Sequence, residues 1–222
     1  MPYPMIHLQI AKKILDDSVL IIEDKPQFYL GTLSPDAVQF REVYDKKLSH
    51  IVYSNVPWGF VVDNDEWIKD LFGFFHENYG KTNKSFLFGY LIHILADIYN
   101  NIKIWTPFRL KNSDKNFREL HEISYKENMI IDLKLFQECM FIKELWIYLK
   151  ESISFNFLNI VNKTDMDNIK NQILNIQYKN KEPANDKKNT IVTYSNIIKF
   201  INETVAFIID LLKKEEKIEW KQ

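Results

Sequence analysis

The stretch FLFGYLIHILADIYNN, residues 86–101, decides the class of the fold. It is almost wholly apolar and shows no strand alternation. A helix over residues 84–101 is expected, apolar enough to be the central, buried one. The run also carries His93 and Asp97, which are four apart and so share one face. Burying a charge without a partner is expensive. The pair therefore asks for partners elsewhere in the chain.

Helical period extends outward from this segment in both directions. MIHLQIAKKILDD (5–17) places Ile6, Ile10, Ile14 and Leu15 on one face. PQFYLGTLSPDAVQF (26–40) is an apolar run broken by Gly31 and Pro35, so a helical turn ending in a loop is expected. Residues 45–62 show no steady period and contain Pro57 and Gly59, which predicts a long irregular loop, a candidate lid. NDEWIKDLFGFFHENYG (64–80) carries start and stop signals of a helix. Further helices are expected from about Asp114 through Asp132, over 133–152 with a kink, and over 165–180 and 194–217. KNKEPANDKKN (179–189) reads as a solvated linker. There is no internal repeat. The expected fold class is all-α, one multihelical domain over residues 1–222.

The 222 residues include 46% hydrophobic positions, enough for a sizeable core, and a formal net charge of −1. That balance gives no basic field for nucleic acid or an anionic membrane, so no specific nucleic acid is expected. A single cysteine, Cys139, excludes an internal disulfide and reads as core filler. No window has the roughly 18 apolar residues of a transmembrane span, and the N-terminus lacks the pattern of a signal peptide. A cytoplasmic location is expected. Oligomeric state is left open.

Of the five histidines, three fall in settings that polar residues avoid. His7 lies between Ile6 and Leu8, His50 is in the irregular region, and His93 is in the apolar run. Asp36, after GTLSP, and Asp97 complete a set of three imidazoles and two carboxylates. Such donors suit zinc and related divalent ions. Any one buried His is more often a satisfied core residue, but the set together points to a metal site. His76, near a helix end, reads as a cap or surface residue. Tyr90, Tyr99 and Trp105 read as packing residues.

The blocks MIHLQIAKKIL, FYLGTLSPDAV, KKLSH and FLFGYLIHILAD, in that order, resemble the bacterial zinc-dependent phospholipase C family. That family shares its fold with the fungal single-strand-specific nucleases. The resemblance spans residues 5–97 and rests mainly on Gly31–Pro35–Asp36 and Gly89–His93–Asp97. It implies a cluster of one to three zinc ions, with two expected here. Asp36, His50, His93 and Asp97 would bind one ion. Asp97 would bridge to a second, which His7 also binds and which the N-terminal amine completes in secreted members. The third ion is bound in the family through a His after the central helix and a His-x-x-x-Glu pair. DIYNNIKIW has no His, and His121 is followed at the fourth position by Tyr125, so His121, Glu127 and Asp132 are only substitutes.

The expected chemistry is hydrolysis of a small phosphate ester or phospholipid by metal-activated water, with Asp36 as the catalytic carboxylate. VPWGFVV (56–62) is either an apolar lip for a bilayer or part of the core. The alternatives are a non-catalytic, metal-stabilised helical protein and a nuclease or nucleotide phosphatase of the same fold. No Gly-rich phosphate loop or nucleophile elbow is present.

Overall fold

A computed structural model describes residues 3–17, 20–179, 181–185, 189 and 191–215. The chain forms α1 (Pro4–Asp16), α2 (Lys25–Leu33), a 3-10 turn (Ser34–Phe40), α3 (Lys46–Ser49), α4 (Asn64–Asn78) and α5 (Lys84–Asn100). A π-helical segment (Asn101–Trp105) leads into α6 (Thr106–Lys111), followed by α7 (Phe117–Gln137) and α8 (Ile142–Glu151). Then come α9 (Lys163–Asn171), a second π-helical segment (Gln172–Gln177) and α10 (Tyr194–Leu212). The described residues contain no β-strand, and Phe157 and Val161 form an isolated antiparallel bridge. The fold is all-α, built on one hydrophobic core that runs from Met5 to Leu212. Among the described residues no helix is long and apolar enough to cross a membrane.

The central helix is α5, buried at every residue from Ser85 to Asn100. Asn83 caps it by accepting the Phe86 N–H. Its main partner is α2. The two meet at glycines: a Cβ on Gly31 would lie far inside contact distance of the Phe86 carbonyl, and one on Gly89 would lie 2.8 Å from Thr32 N and closer still to the Phe28 carbonyl. Only glycine lets two helix backbones approach this closely. The second and fourth blocks of the sequence are thus joined physically through their glycines.

Several expectations need correction. The run at 26–40 is not one helical turn and a loop. It is a nine-residue helix, buried from Gln27 to Leu33, followed by a 3-10 turn that starts at Ser34 and Pro35. Gly31 reads as a breaker in sequence, whereas burial against α5 supplies more than its helix propensity costs. The region 45–62 is not loop throughout, because α3 opens it, capped by the Asp45 side chain on Lys47 N. The third long helix starts and ends a few residues later than Asp114 and Asp132, on a capping box of Asn116 and Glu119. A break at residues 138–141, not a kink, separates α7 from α8. Part of the linker at 179–189, the end of the segment 194–217 and the N-terminal residues Met1 and Pro2 lie outside the described residues.

Candidate metal centre

Five side chains from four elements meet on one face of α5. His93 and Asp97 come from α5 itself, one turn apart, both buried. The His93 Nδ1–H donates to the Thr32 carbonyl at 2.7 Å. A carbonyl only accepts, so this bond fixes the tautomer and aims the Nε2 lone pair into the cluster. The bond exists because the glycine crossing brings the end of α2 against α5.

His50 ends α3. Its Nδ1 lies 2.9 Å from the Lys46 carbonyl and 3.0 Å from Ser49 Oγ, so its Nε2 also faces inward. Two aromatic residues hold this turn: Tyr90 Oη donates to the Ser49 carbonyl, and Trp67 Nε1 donates to the His50 carbonyl at 2.8 Å. The next residue, Ile51, has φ of 55°, a left-handed conformation that a β-branched side chain rarely adopts. Such a residue costs about 1–3 kcal/mol and persists only where its surroundings hold it. Here Ile51 is fully buried, and the turn points His50 at Asp97.

The His50 Nε2 lies 3.3 Å from Asp97 Oδ2 and 3.6 Å from Asp36 Oδ1. His93 Nε2 lies 3.9 Å from Asp36 Oδ2 and 3.9 Å from Asp97 Oδ2. Donors at zinc–ligand distances of about 2.0–2.2 Å in a tetrahedron are about 3.3–3.6 Å apart, so these four groups have nearly the spacing of a single shell. His7, on α1, stacks flat on His93 with centroids 3.8 Å apart and an 8° angle between planes. Its Nε2 lies 3.5 Å from Asp97 Oδ1, the oxygen that His50 does not face. Asp97 thus presents one oxygen to each side. Two overlapping sets have donor atoms close enough to hold an ion: His7, Asp36 and His93, and His50, His93 and Asp97.

The chemistry of the donors fits a cation. Both His7 nitrogens, the Nε2 atoms of His50 and His93, and both Asp97 oxygens are buried without a hydrogen-bond partner. His50 Nε2 and Asp97 Oδ2 thus approach to 3.3 Å without a hydrogen bond between them. Each unmade bond costs about 1–3 kcal/mol. A neutral His7 keeps its proton on one ring nitrogen, and the other five atoms, all lone-pair donors, call for a group that accepts lone pairs. Burial, then the neighbouring His93, pushes the His7 imidazole down to about 3. Burial also lowers His93. Burial pushes the Asp97 carboxyl up, but His50, His93 and His7 outweigh it and hold it below the ordinary carboxylate value. Burial likewise opposes ionisation of Asp36, and Lys46 with the imidazoles outweighs it. Neutral His7 and His93 beside ionised carboxylates are the states that bind metal.

Lys46, not singled out in the sequence, belongs to the site. Its Nζ lies 2.8 Å from Asp36 Oδ1, and its carbonyl orients His50. The only signal was its position four residues before His50. Trp58, half-buried in the loop after α3, packs on His50 at 4.8 Å and on Trp67 at 5.9 Å, so this part of VPWGFVV walls the site, while Val62 is exposed.

The substitutes for a third ion lie elsewhere. Asp132 accepts the Met5 N–H at 2.8 Å and bonds from Tyr178 and Gln177, fixing the start of α1. Glu127 accepts the N–H groups of Ile191 and Val192. His121 is exposed and stacks between Phe117 and Tyr125. His76 pairs with Glu215 at 2.7 Å, Tyr99 and Trp105 lie at the edge of the core, and Cys139 is buried at the α7–α8 break. The N-terminal amine lies outside the described residues. Comparison with known proteins finds no matching family model, no matching curated protein and no matching solved structure.

Proposed function

We propose that this chain is a metal-dependent hydrolase of phosphate esters, similar in its site to the zinc-dependent phospholipases C. The observation that carries the reading is the meeting of His7, Asp36, His50, His93 and Asp97 with six unpaired buried polar atoms among them. Zinc is the ion the donor set suits best, with two ions at most served by these residues. When bound, zinc brings the pKa of its water toward neutrality and polarises a phosphoryl oxygen.

The chain's own residues supply orientation. The Thr32 and Lys46 carbonyls hold His93 and His50 with Nε2 inward. Asp97 spans the cluster, and its burial keeps bulk water from competing for its oxygens. Asp36 is the catalytic carboxylate: Lys46 engages Oδ1, which leaves Oδ2 to take or orient the proton of an attacking water. Its side chain is 15% exposed, whereas those of His7, His50, His93 and Asp97 are 0–1% exposed. Substrate therefore approaches on the Asp36 side.

That near-complete burial also favours a second reading, a structural metal site with its positions closed. Elemental analysis of purified protein, with a panel of p-nitrophenyl phosphate mono- and diesters, separates the two. Bound zinc with chelator-sensitive turnover is expected. Bound zinc without turnover of any ester leaves the structural reading, and protein without divalent metal removes both.

A further inference from the structure

Lys46 occupies an unusual place. Its side chain is 17% exposed and its Nζ sits against Asp36, the one open ligand of the cluster. Every other donor is closed off. A molecule that reaches the cluster from solvent therefore meets the ammonium and Asp36 together. Charge points the same way. Two carboxylates balance one divalent ion, and metal-binding imidazoles are neutral. Lys46 then stands as surplus positive charge beside the loaded cluster, and a second ion enlarges the surplus. Uncompensated charge in a poorly solvated site is costly, and an anion relieves it.

We infer that Lys46 is the anion-binding residue of this site: its ammonium, held at the mouth by Asp36, takes a non-bridging phosphoryl oxygen of the incoming ester. The inference rests on the phosphate-ester reading above. It narrows the substrate to esters that carry at least one negative charge on phosphorus and disfavours neutral triesters. Asp36 Oδ1 holds the ammonium in place before substrate arrives, so little ordering is required on binding. Lysine suits the role as a compact point charge with three donors, of which one can remain on Asp36 while another reaches the phosphoryl group.

The test is calorimetric titration of inorganic phosphate into the zinc-loaded protein, with zinc per chain measured for each variant. Lys46→Met is expected to keep its zinc and to bind phosphate about tenfold more weakly or worse, the loss of one charge-assisted hydrogen bond. Lys46→Arg keeps the charge and is expected to restore binding to within about threefold, since its fork differs in shape but not in sign. A zinc-replete Lys46→Met with unchanged phosphate affinity overturns the inference and leaves the hydrolase reading standing. So does loss of zinc in Lys46→Met, which makes Lys46 a positioning residue for Asp36. Wild-type protein that binds no zinc overturns both. If Lys46→Met does not fold, the Nζ resonance of Lys46 in the wild type, assigned by its loss in Lys46→Arg, decides. A shift on phosphate addition supports the inference, and an unmoved resonance overturns it.

Discussion

Asp97 shows what a single residue contributes to a buried site. Its two oxygens face different imidazoles, His7 at 3.5 Å and His50 at 3.3 Å, and neither oxygen is hydrogen-bonded. A carboxylate has no proton to offer the imidazole lone pairs that surround it. The arrangement is therefore unfavourable without a cation and favourable with one. Asp97→Asn reverses this balance. The amide keeps the shape, loses the charge, and gains N–H groups that can donate to a neighbouring Nε2, each such bond worth about 1 kcal/mol. The variant is expected to lose zinc and turnover, and yet to melt at or above the temperature of zinc-free wild type. His93→Ala is expected to behave differently, losing zinc and also stability, because it leaves the Thr32 carbonyl unpaired and unstacks His7. Zinc content and thermal melts of both variants, with and without chelator, measure this. Zinc-free Asp97→Asn melting well below zinc-free wild type would contradict the account of the unpaired oxygens.

Between elements, the decisive contact is the crossing of α2 and α5. Because a Cβ at Gly89 would overlap the Phe28 carbonyl, Gly89→Ala must push the helices apart, at a cost of about 3 kcal/mol. The same displacement withdraws the Thr32 carbonyl from His93. Melting temperature and zinc affinity are expected to fall together; a variant with wild-type zinc affinity would show that the crossing does not set the site. A second link between elements is Asp132 on α7, whose carboxylate holds the start of α1 and hence His7. Burial raises its pKa from 3.8 to about 6, against the hydrogen bonds from Tyr178, Met5 and Gln177. An acid raised in the folded state binds its proton more tightly there than in the unfolded chain. Its stabilising protonation is complete below pH 4 and is lost as pH rises toward 6, by up to about 3 kcal/mol. Asp132→Asn cannot titrate, so its stability relative to wild type is expected to rise between pH 4 and 6. Denaturant unfolding across that range measures the difference, and a flat difference would refute the raised carboxyl. These contacts also mark the limit of what the sequence discloses. His93 and Asp97 are legible because polar groups in an apolar run need a reason. Gly31 and Gly89 are visible as residues, but their role depends on a crossing between segments far apart in sequence. Lys46 and Thr32 act through Nζ and backbone carbonyls whose aim only the fold reveals.

At the scale of the molecule, the proposed ligands all come from residues 7–97, on α1, the 3-10 turn, α3 and α5. The chain beyond α5 supplies support. Helix α10 packs on α1 and α5, α8 on α2, and α9 on the 3-10 turn. The last contact is fixed by Arg41, which forks onto Asp165 of α9 and donates to the Ile160 carbonyl at 2.9 Å. All-α character was legible from period alone, since each long apolar stretch repeats at helical spacing. Which helices pair was not, because interchangeable Ile, Leu and Phe side chains carry no address. One core runs through both halves, so they should melt together. An ion held by ligands from separate elements stabilises that whole unit by mass action, about 2.7 kcal/mol when the free metal is a hundredfold above its Kd. Its removal also leaves Asp36 and Asp97 close together with only Lys46 to offset them. For a chain of this length the loss corresponds to a fall of about 5–10 °C in melting temperature. Scanning calorimetry with and without chelator is expected to show one transition at both settings, shifted downward by chelation and restored by added zinc. Two separate transitions would contradict a shared core. A single transition that chelator leaves unmoved would mean that the buried imidazoles and carboxylates satisfy one another without metal, and the phosphate-ester chemistry proposed for them would fall with it.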